Sequence, residues 1–592
     1  MKNIKLGHLF KKIREHVGLS QGDVSENIVD QPVLSRMEQE GELPSALVLG
    51  VLFQRLGKSV SYFSALVTQE EYNYLTWRQN VIDKILVGEC DVREFDNEIA
   101  KDRNINKKLQ EQFATFWKAY LENNIDKMNQ AIAYTVSGYP DELRYEKCYT
   151  ADEFIFIILC IEKEYEITHS LTKNQQLLLA FVLEYSERQF EMEERVRTYI
   201  KAAILFSSVV QGESENKLIY LNKAFDLLRS LHKIGGIEEI LIKKEEVLHY
   251  MNMTLSDEEI NVVETLRWIR QRFNVECKDP YSMSSYPEYY LLHEMLKSYR
   301  VRKNMTVREV TEGTCSEKTY RALENGMRGA KDGTFVALAN KLGISLGTYN
   351  TDVVTDSYRE VALVNEIEKR CKLLRYDEAL TLSKKLESSL KNKCDYPENR
   401  QFLKWLRTSV LFWKNCITSN EYLQAIVDAL KITLKDPQKD IVFYTRQERL
   451  ILCNIALAYK KTGETGKCIE ILKKLWHSCQ SSGVSVENMK DEVPLMLELW
   501  ESALSDIGLH KESLRLALQG IKYSYRLNDG WKLYEFIAKL DCRFMIDSPL
   551  NFDNDAGADN NMYCKRILSL SWLYKFPAEG SFIKRERRMI KF

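Results

Sequence analysis

The stretch Leu6-Gly-His-Leu9-Phe10-Lys-Lys-Ile13-Arg14-Glu-His-Val17-Gly18-Leu19-Ser20-Gln21 comes back later in the chain as Leu292-His-Glu-Met295-Leu296-Lys-Ser-Tyr299-Arg300-Val-Arg-Lys-Asn304-Met305-Thr306-Val307. The two copies align without a gap from Leu6 to Phe63 and from Leu292 to Tyr349, an offset of 286 residues. Identities fall at Lys11/Lys297, Arg14/Arg300, Val24/Val310, Glu26/Glu312, Glu38/Glu324, Leu52/Leu338, Leu56/Leu342, Gly57/Gly343 and Ser59/Ser345. The likeness continues weakly, with Phe116-Trp117-Lys118 answering Phe412-Trp413-Lys414 and Tyr149-Thr150 answering Tyr444-Thr445, at offsets that drift to 294–296. A repeat at this separation marks a duplicated unit. Each unit reads as a small domain followed by a long one, and the turn-rich stretch from Asp279 to Pro287 marks the joint between halves.

Inside the small domain, apolar residues Leu6, Leu9, Phe10, Ile13 and Val17 recur at helical spacing, and Gly18 ends the helix. Ser20 caps a second helix, with Asp23 as a capping-box partner, and Asp30 caps a third that tolerates Pro32 in its first turn. Ser45 to Leu56 and Ser59 to Val67 read as two further helices. Arg14 with Glu38, and Arg300 with Glu324, are expected to pair inside each domain.

Only 10 Pro and 25 Gly in 592 residues favour long helices over a strand-rich fold. Lys and Arg total 84 against 85 Asp and Glu, so no global basic field exists and nucleic-acid contact would need local surfaces. The first domain carries 8 Lys/Arg against 7 Asp/Glu over residues 1–68, and the second 10 against 7 over residues 291–355. No apolar run reaches the roughly 20 residues of a membrane span, and no secretory signal is visible at the start. The 13 Cys are scattered without a CxxC pair, and no His/Cys cluster has ligand spacing, so neither a metal nor another cofactor is expected. There is no P-loop, dinucleotide fingerprint or Gly-x-Ser-x-Gly elbow, and an enzyme is not expected.

The small domain resembles the lambda-repressor-like (Cro/cI type) helix-turn-helix family. The carrying residues are Ile13-Arg14, Gly18-Leu19-Ser20-Gln21, Val24, Leu34-Ser35-Arg36-Met37-Glu38, Pro44-Ser45 and Leu56-Gly57 with Ser59. The second copy keeps Arg300, Met305-Thr306, Val310, Ser316, Leu323-Glu324-Asn325-Gly326 and Leu342-Gly343-Ile344-Ser345. The resemblance implies a recognition helix in the major groove of double-stranded DNA. In copy one it would present Gln31, Pro32, Ser35 and Arg36, with Gln21 as the phosphate or base clamp. In copy two it would present Glu317, Lys318 and Arg321, with Thr306 at the start of the preceding helix. Val307 stands where Gln21 does, so one clamp is lost. Gln suits adenine, Arg suits guanine and Glu suits cytosine, so the two copies are not expected to read the same half-site.

In the long domains, Ile451-Leu-Cys-Asn454-Ile-Ala-Leu-Ala-Tyr459-Lys-Lys-Thr-Gly463-Glu-Thr-Gly-Lys-Cys-Ile-Glu-Ile-Leu472 is a pair of amphipathic helices around a glycine turn, and it resembles the tetratricopeptide helix pair. Leu499 to Leu518 and Trp405 to Ala429 follow the same logic. The order of a repressor-like domain and then such an array resembles the peptide-responsive PlcR/Rgg/PrgX regulators of Gram-positive bacteria. It is carried by Tyr444-Thr445 to Ala456 and by Gly520 to Gly530. The resemblance implies a short signalling peptide held by inner-face Asn residues. Asn454 matches that position, and Leu159 replaces it in the first half. Asn454 bonding a neighbouring turn is the competing reading.

These readings predict an all-α chain: two five-helix helix-turn-helix domains, each followed by a tetratricopeptide-like right-handed array. The expected divisions are 1–68, 69–278, a linker 279–290, 291–350, 351–545, and a C-terminal loop with a basic tail over 546–592, the loop including Asn551 to Asn561. The expected function is a cytoplasmic DNA-binding transcription regulator controlled by a peptide or other ligand, acting as a homodimer or an intramolecular pseudo-dimer and without a membrane partner. The alternative is an interaction scaffold whose small domains are packing modules.

Overall fold

The computed structural model describes residues 6–40, 43–90, 92–99, 106–140, 143–276, 288–327, 332–344, 352–435, 443–544 and 556–574. The fold is all-α, with two four-residue strands among the described residues. The first small domain comprises helices Leu6–His16, Gln21–Ser25, Gln31–Glu40 and Ala46–Arg55 around a core of Leu9, Phe10, Val24, Leu34, Leu52, Phe53 and Phe63. Gly18 takes the left-handed conformation (φ 77°) that closes the first helix. Ser20 and Asp23 form the expected capping box. The second small domain repeats the pattern with Leu292–Arg302, Val307–Thr311, Glu317–Glu324 and Asp332–Leu342. Thr306 and Glu309 form its capping box.

The same internal lock recurs at the 286-residue offset. Arg14 donates to Glu38 at 2.7 and 2.8 Å and to the Leu19 carbonyl at 2.7 Å. Arg300 donates to Glu324 at 2.7 Å and to the Met305 carbonyl at 3.1 Å. The structural role expected for both arginines is therefore observed.

The stretch Ser59 to Val67 is not the fifth helix its apolar residues suggested. It forms a single 3-10 turn, Val60–Tyr62, and then strand β1, Ser64–Val67. β1 pairs in parallel with β2, Glu288–Leu291, in the register Ser64↔Glu288 to Val67↔Leu291. Short apolar runs do not reveal whether they are helix or strand, and here a backbone partner from the other half of the chain decides it. Residues 288–290, expected within the linker, are strand for the same reason. Residues 279–287 lie outside the described residues, as does the expected fifth helix of the second small domain beyond Ile344.

Each long domain contributes ten described helices. The first array runs from Gln69–Leu86 to Asp257–Phe273, and the second from Tyr358–Lys372 to Ala556–Leu573. Helices pack on their chain neighbours. Alternate ones also touch, as Ala151–Thr168 does Met192–Val209 and Arg446–Lys461 does Glu492–Asp506, the pattern of stacked helix pairs. Ala456 and Ala458 are buried, which lets helix Thr465–Ser481 approach, and Gly463 (φ 85°) makes the turn. The expected loop Asn551 to Asn561 is helical from Ala556 onward. Its Asn- and Asp-rich start has poor intrinsic helix preference, and packing of Ile567, Leu570 and Leu573 supplies the stability. The basic tail at 584–591 lies outside the described residues.

The two halves touch reciprocally. Tyr72 accepts hydrogen bonds from the Ser485 backbone and the Asn488 amide, and Tyr358 donates to Glu191. The terminal helices Asp257–Phe273 and Ala556–Leu573 pack on each other. The turns at His232 and Asn528 meet: Ile234 and Gly235 donate to Asn528 Oδ1 at 2.6 and 2.8 Å, and Gly530 donates to the His232 carbonyl at 2.7 Å. One hydrophobic core therefore runs through both arrays.

Candidate nucleic-acid interface and charged cluster

The first candidate face is built on helix Gln31–Glu40. Leu34, Met37 and Glu38 point inward. Gln31, Pro32 and Arg36 are exposed on the opposite side, and Ser35 is half-buried between. Helix Glu317–Glu324 has the same orientation: Tyr320, Leu323 and Glu324 are buried, while Glu317, Lys318 and Arg321 are exposed. Ser316 caps it by accepting from the Thr319 backbone N–H. A helix start of this kind, with its partial positive charge toward solvent, can receive a phosphate.

The expected contact residues Gln21, Thr306, Arg321 and Glu317 have partners within the chain. Gln21 donates from Nε2 to Glu38 Oε2 at 2.8 Å, joining the Arg14 lock. The Thr306 hydroxyl is engaged with Glu309 in the capping box. Arg321 and Glu317 approach to 3.5 Å on one exposed face.

Each small domain is fastened to its array through a capping-box carboxylate at a corresponding position, Glu153 or Glu448. Thr150 with Glu153, and Thr445 with Glu448, form capping boxes at the start of equivalent array helices. Arg55 donates to Glu153 at 2.9 Å, and Arg302 to Glu448 at 2.8 and 2.9 Å. The arginines come from different helices of their domains, so the joint is analogous without being superimposable. A cavity of about 20 Å³ beside Glu153 and one of about 10 Å³ beside Glu288 and Arg449 have room for little more than one water each.

The arrays differ at the start of these helices. In the first, Ala151, Phe154 and Leu159 are buried in the core. The equivalent residues of the second are Arg446, Arg449 and Asn454. Arg446 bonds Asp352 at 2.7 and 2.9 Å and Asp491 at 2.6 Å. Arg449 pairs with Glu288 and with Glu492. Lys532 bonds Glu498 at 2.8 Å and Glu535 at 2.6 Å, and Lys539 adds a bond to Glu498 at 3.1 Å. Burial alone would raise the Asp491 carboxyl, but Arg446 and Lys372 outweigh it and hold it well below the usual range. Yet 45% of the Asp491 side chain is exposed. Burial likewise pushes Glu368 up to about 7, against the pull of Arg446.

Asn454 spends its amide internally. Oδ1 accepts from the Tyr422 hydroxyl at 2.7 Å, and Nδ2 donates to the Leu450 carbonyl at 2.8 Å. The clustered charges Lys372, Arg446, Asp491 and Glu498 were not singled out from sequence. Comparing the copies at the 295-residue offset, where Arg446 stands against Ala151 and Arg449 against Phe154, would have found the arginines.

Among the described residues, no group of His, Cys, Asp and Glu is arranged to hold a metal ion, and no helix is long and apolar enough to cross a membrane. The structure thus defines an all-α chain of packed helical arrays. No family model matches it, and no curated protein does. A solved structure that matches in part is the crystal structure of Bacillus thuringiensis PlcR in complex with the peptide PapR7 and DNA. It is 18% identical, with a TM-score of 0.33, over 48% of this chain and 96% of that one. At that level the likeness carries no functional weight, and the residues of this chain do.

Proposed function

We propose that this chain is a cytoplasmic, sequence-specific regulator of transcription that binds double-stranded DNA through two helix-turn-helix modules on ligand-responsive arrays. The divisions 1–68, 69–278, 291–350 and 351–545 are the working units of that reading. The observation that carries it is the duplicated lock of Arg14–Glu38 and Arg300–Glu324. Each lock holds a helix whose outer face, Gln31, Pro32, Ser35 and Arg36 or Glu317, Lys318 and Arg321, stays open to solvent. Gln21 gives one amide N–H to Glu38 and keeps its second N–H for DNA, and Thr306 contributes through the helix start it caps. The test is salt-dependent DNA binding by the full chain and by Gln31→Ala and Arg321→Ala. Each is expected to lose base preference and keep a steep salt slope. If neither substitution changes salt-sensitive binding, the groove assignment is wrong.

The ligand reading is supported in the second array. There Arg446, Asp491, Glu498 and Lys532 alternate in sign, with Asp491 partly open to solvent, which suits the charged termini and side chains of a short peptide, whereas Ala151, Phe154 and Leu159 of the first array are buried. Asn454 would serve such a peptide only by releasing Tyr422 or Leu450. Mapping bound genomic sites with and without culture supernatant tests it, and an unchanged map would remove the peptide. The scaffold reading draws on the Arg55–Glu153 and Arg302–Glu448 joints, which make the small domains packing partners of the arrays. Absence of DNA affinity at low salt together with a stable protein complex would favour it.

A further inference from the structure

We propose that the chain is its own dimer on DNA: one molecule spans a non-palindromic site of two unlike half-sites at a single spacing. This rests on the DNA-binding reading above and deepens it by naming the class of site. A two-fold dimer needs equivalent surfaces of two copies to meet, with residue i of one touching j of the other and the reverse. Here that reciprocity is satisfied within one chain. Tyr72 and Tyr358, at equivalent positions, each bond the turn that precedes the other half's Glu492–Asp506 or Met192–Val209 helix. Arg229 and Tyr525 are equivalent at the 296-residue offset that relates Ser214–Ser230 to His510–Arg526. Arg229 donates to the Leu573 and Trp572 carbonyls, and Tyr525 to the Leu266 carbonyl. The equivalent turns at His232 and Asn528 bond each other, and the equivalent terminal helices pack together with Ile269 and Leu570 fully buried. The surface on which a second copy would dock is therefore already filled.

The reading faces are also tied to each other. β1 ends the first small domain and β2 begins the second, so their parallel ladder fastens one module to the other. The faces differ chemically: Gln31, Ser35 and Arg36 in one stand against Glu317, Arg321 and Ala322 in the other. Gln favours adenine, Arg guanine and Glu cytosine, so no single half-site sequence suits both. Two weak modules on one chain gain affinity through effective concentration, with no need of a second molecule.

The test is selection of bound duplexes from a random pool by the full chain, with the stoichiometry of the complex measured by sedimentation. The expected result is one chain per duplex and two different half-sites at one separation. Gln31→Ala should relax one half-site only, and Arg321→Ala the other only, by about tenfold or more at the affected base. Palindromic sites bound by two chains, or a site in which both substitutions relax the same half, would overturn the proposal while leaving the DNA-binding function in place. If no duplex is enriched and no salt-sensitive binding is found, the DNA reading fails and the proposal with it.

Discussion

Tyr72 and Tyr358 stand 286 residues apart, begin equivalent arrays, and each sends its hydroxyl into the opposite half of the molecule. Tyr358 donates to Glu191 at 2.7 and 2.5 Å, and Tyr72 accepts from the Ser485 backbone at 2.7 Å and from Asn488 at 2.8 Å. Phenylalanine at either position keeps the packing and deletes the bond. A lost hydrogen bond to a charged group, or a buried N–H left unmet, costs about 1–3 kcal/mol. Tyr72→Phe and Tyr358→Phe are each expected to lower stability by that amount in denaturant titration. Because the two have different partners, the double variant should lose the sum.

Gly57 and Gly343 are equivalent glycines, both at φ 67°, with different surroundings. A Cβ at Gly57 would lie 2.0 Å from the Gln189 carbonyl oxygen, backbone of the array. A Cβ at Gly343 would meet the Lys303 ammonium at 2.8 Å, the movable end of a long side chain. Gly343→Ala should therefore cost about 1–2 kcal/mol, the strain of a left-handed residue. Gly57→Ala should cost clearly more, because the joint that also bonds Glu191 N–H to the Gly57 carbonyl must open. Equal midpoints in thermal unfolding would contradict this.

Glu38 is 1% exposed and takes two bonds from Arg14, whose guanidinium is held above its usual value by that hydrogen bonding. Arg14→Met would leave the carboxylate with Gln21 as its remaining side-chain donor among the hydrogen bonds above. Breaking a buried pair on one side costs about 3–5 kcal/mol. Hydrogen exchange should accelerate in helices Leu6–His16 and Gln31–Glu40. Arg14→Lys should rescue it only in part, since a point charge cannot replace the two-pronged contact. Arg300→Met should be milder, because Glu324 is 9% exposed.

Glu71 accepts from the Ala46 N–H at 2.6 Å, and burial pushes its carboxyl from an ordinary 4.5 up to about 7 against the Ala46 and Leu47 backbone bonds. Between these values the folded chain holds a proton that the unfolded chain has released. Stability from this group is therefore present below pH 4.5 and declines as pH rises toward 7. Glu71→Gln cannot ionise, so its stability relative to the parent should grow from pH 5 to pH 7.5. A constant difference across that range would refute the assignment.

Much of the local structure was legible because its signals are local. Helical spacing from Leu6 to Val17, the Ser20–Asp23 capping box, the helix pair around Gly463 and the Arg14–Glu38 pairing all rest on residues a few positions apart or on a repeated motif. β1 was not legible. Ser64 to Val67 becomes strand because Glu288 to Leu291 lies beside it. Helix Ala556–Leu573 was read as loop over its first turns because its support comes from Asp257–Phe273. At the candidate site, the solvent-facing placement of Gln31 and Arg321 followed from helix phase. The engagement of Gln21 by Glu38 and of Asn454 by Tyr422 depended on which side chains the folded chain brings together.

By itself, the sequence determined that this chain is helical, and it pointed to a unit repeated at a 286-residue offset whose outward residues differ between copies. Periodicity, capping and repetition are properties of neighbouring residues and survive without a fold. Tertiary structure alone decided that the two halves close on one another, that a parallel strand pair ties the small domains together, and that Arg446 and Arg449 meet carboxylates where the first array buries Ala151 and Phe154. Those features depend on groups hundreds of residues apart meeting at hydrogen-bond distance, and the burial that makes such meetings stable exists only once both halves have folded.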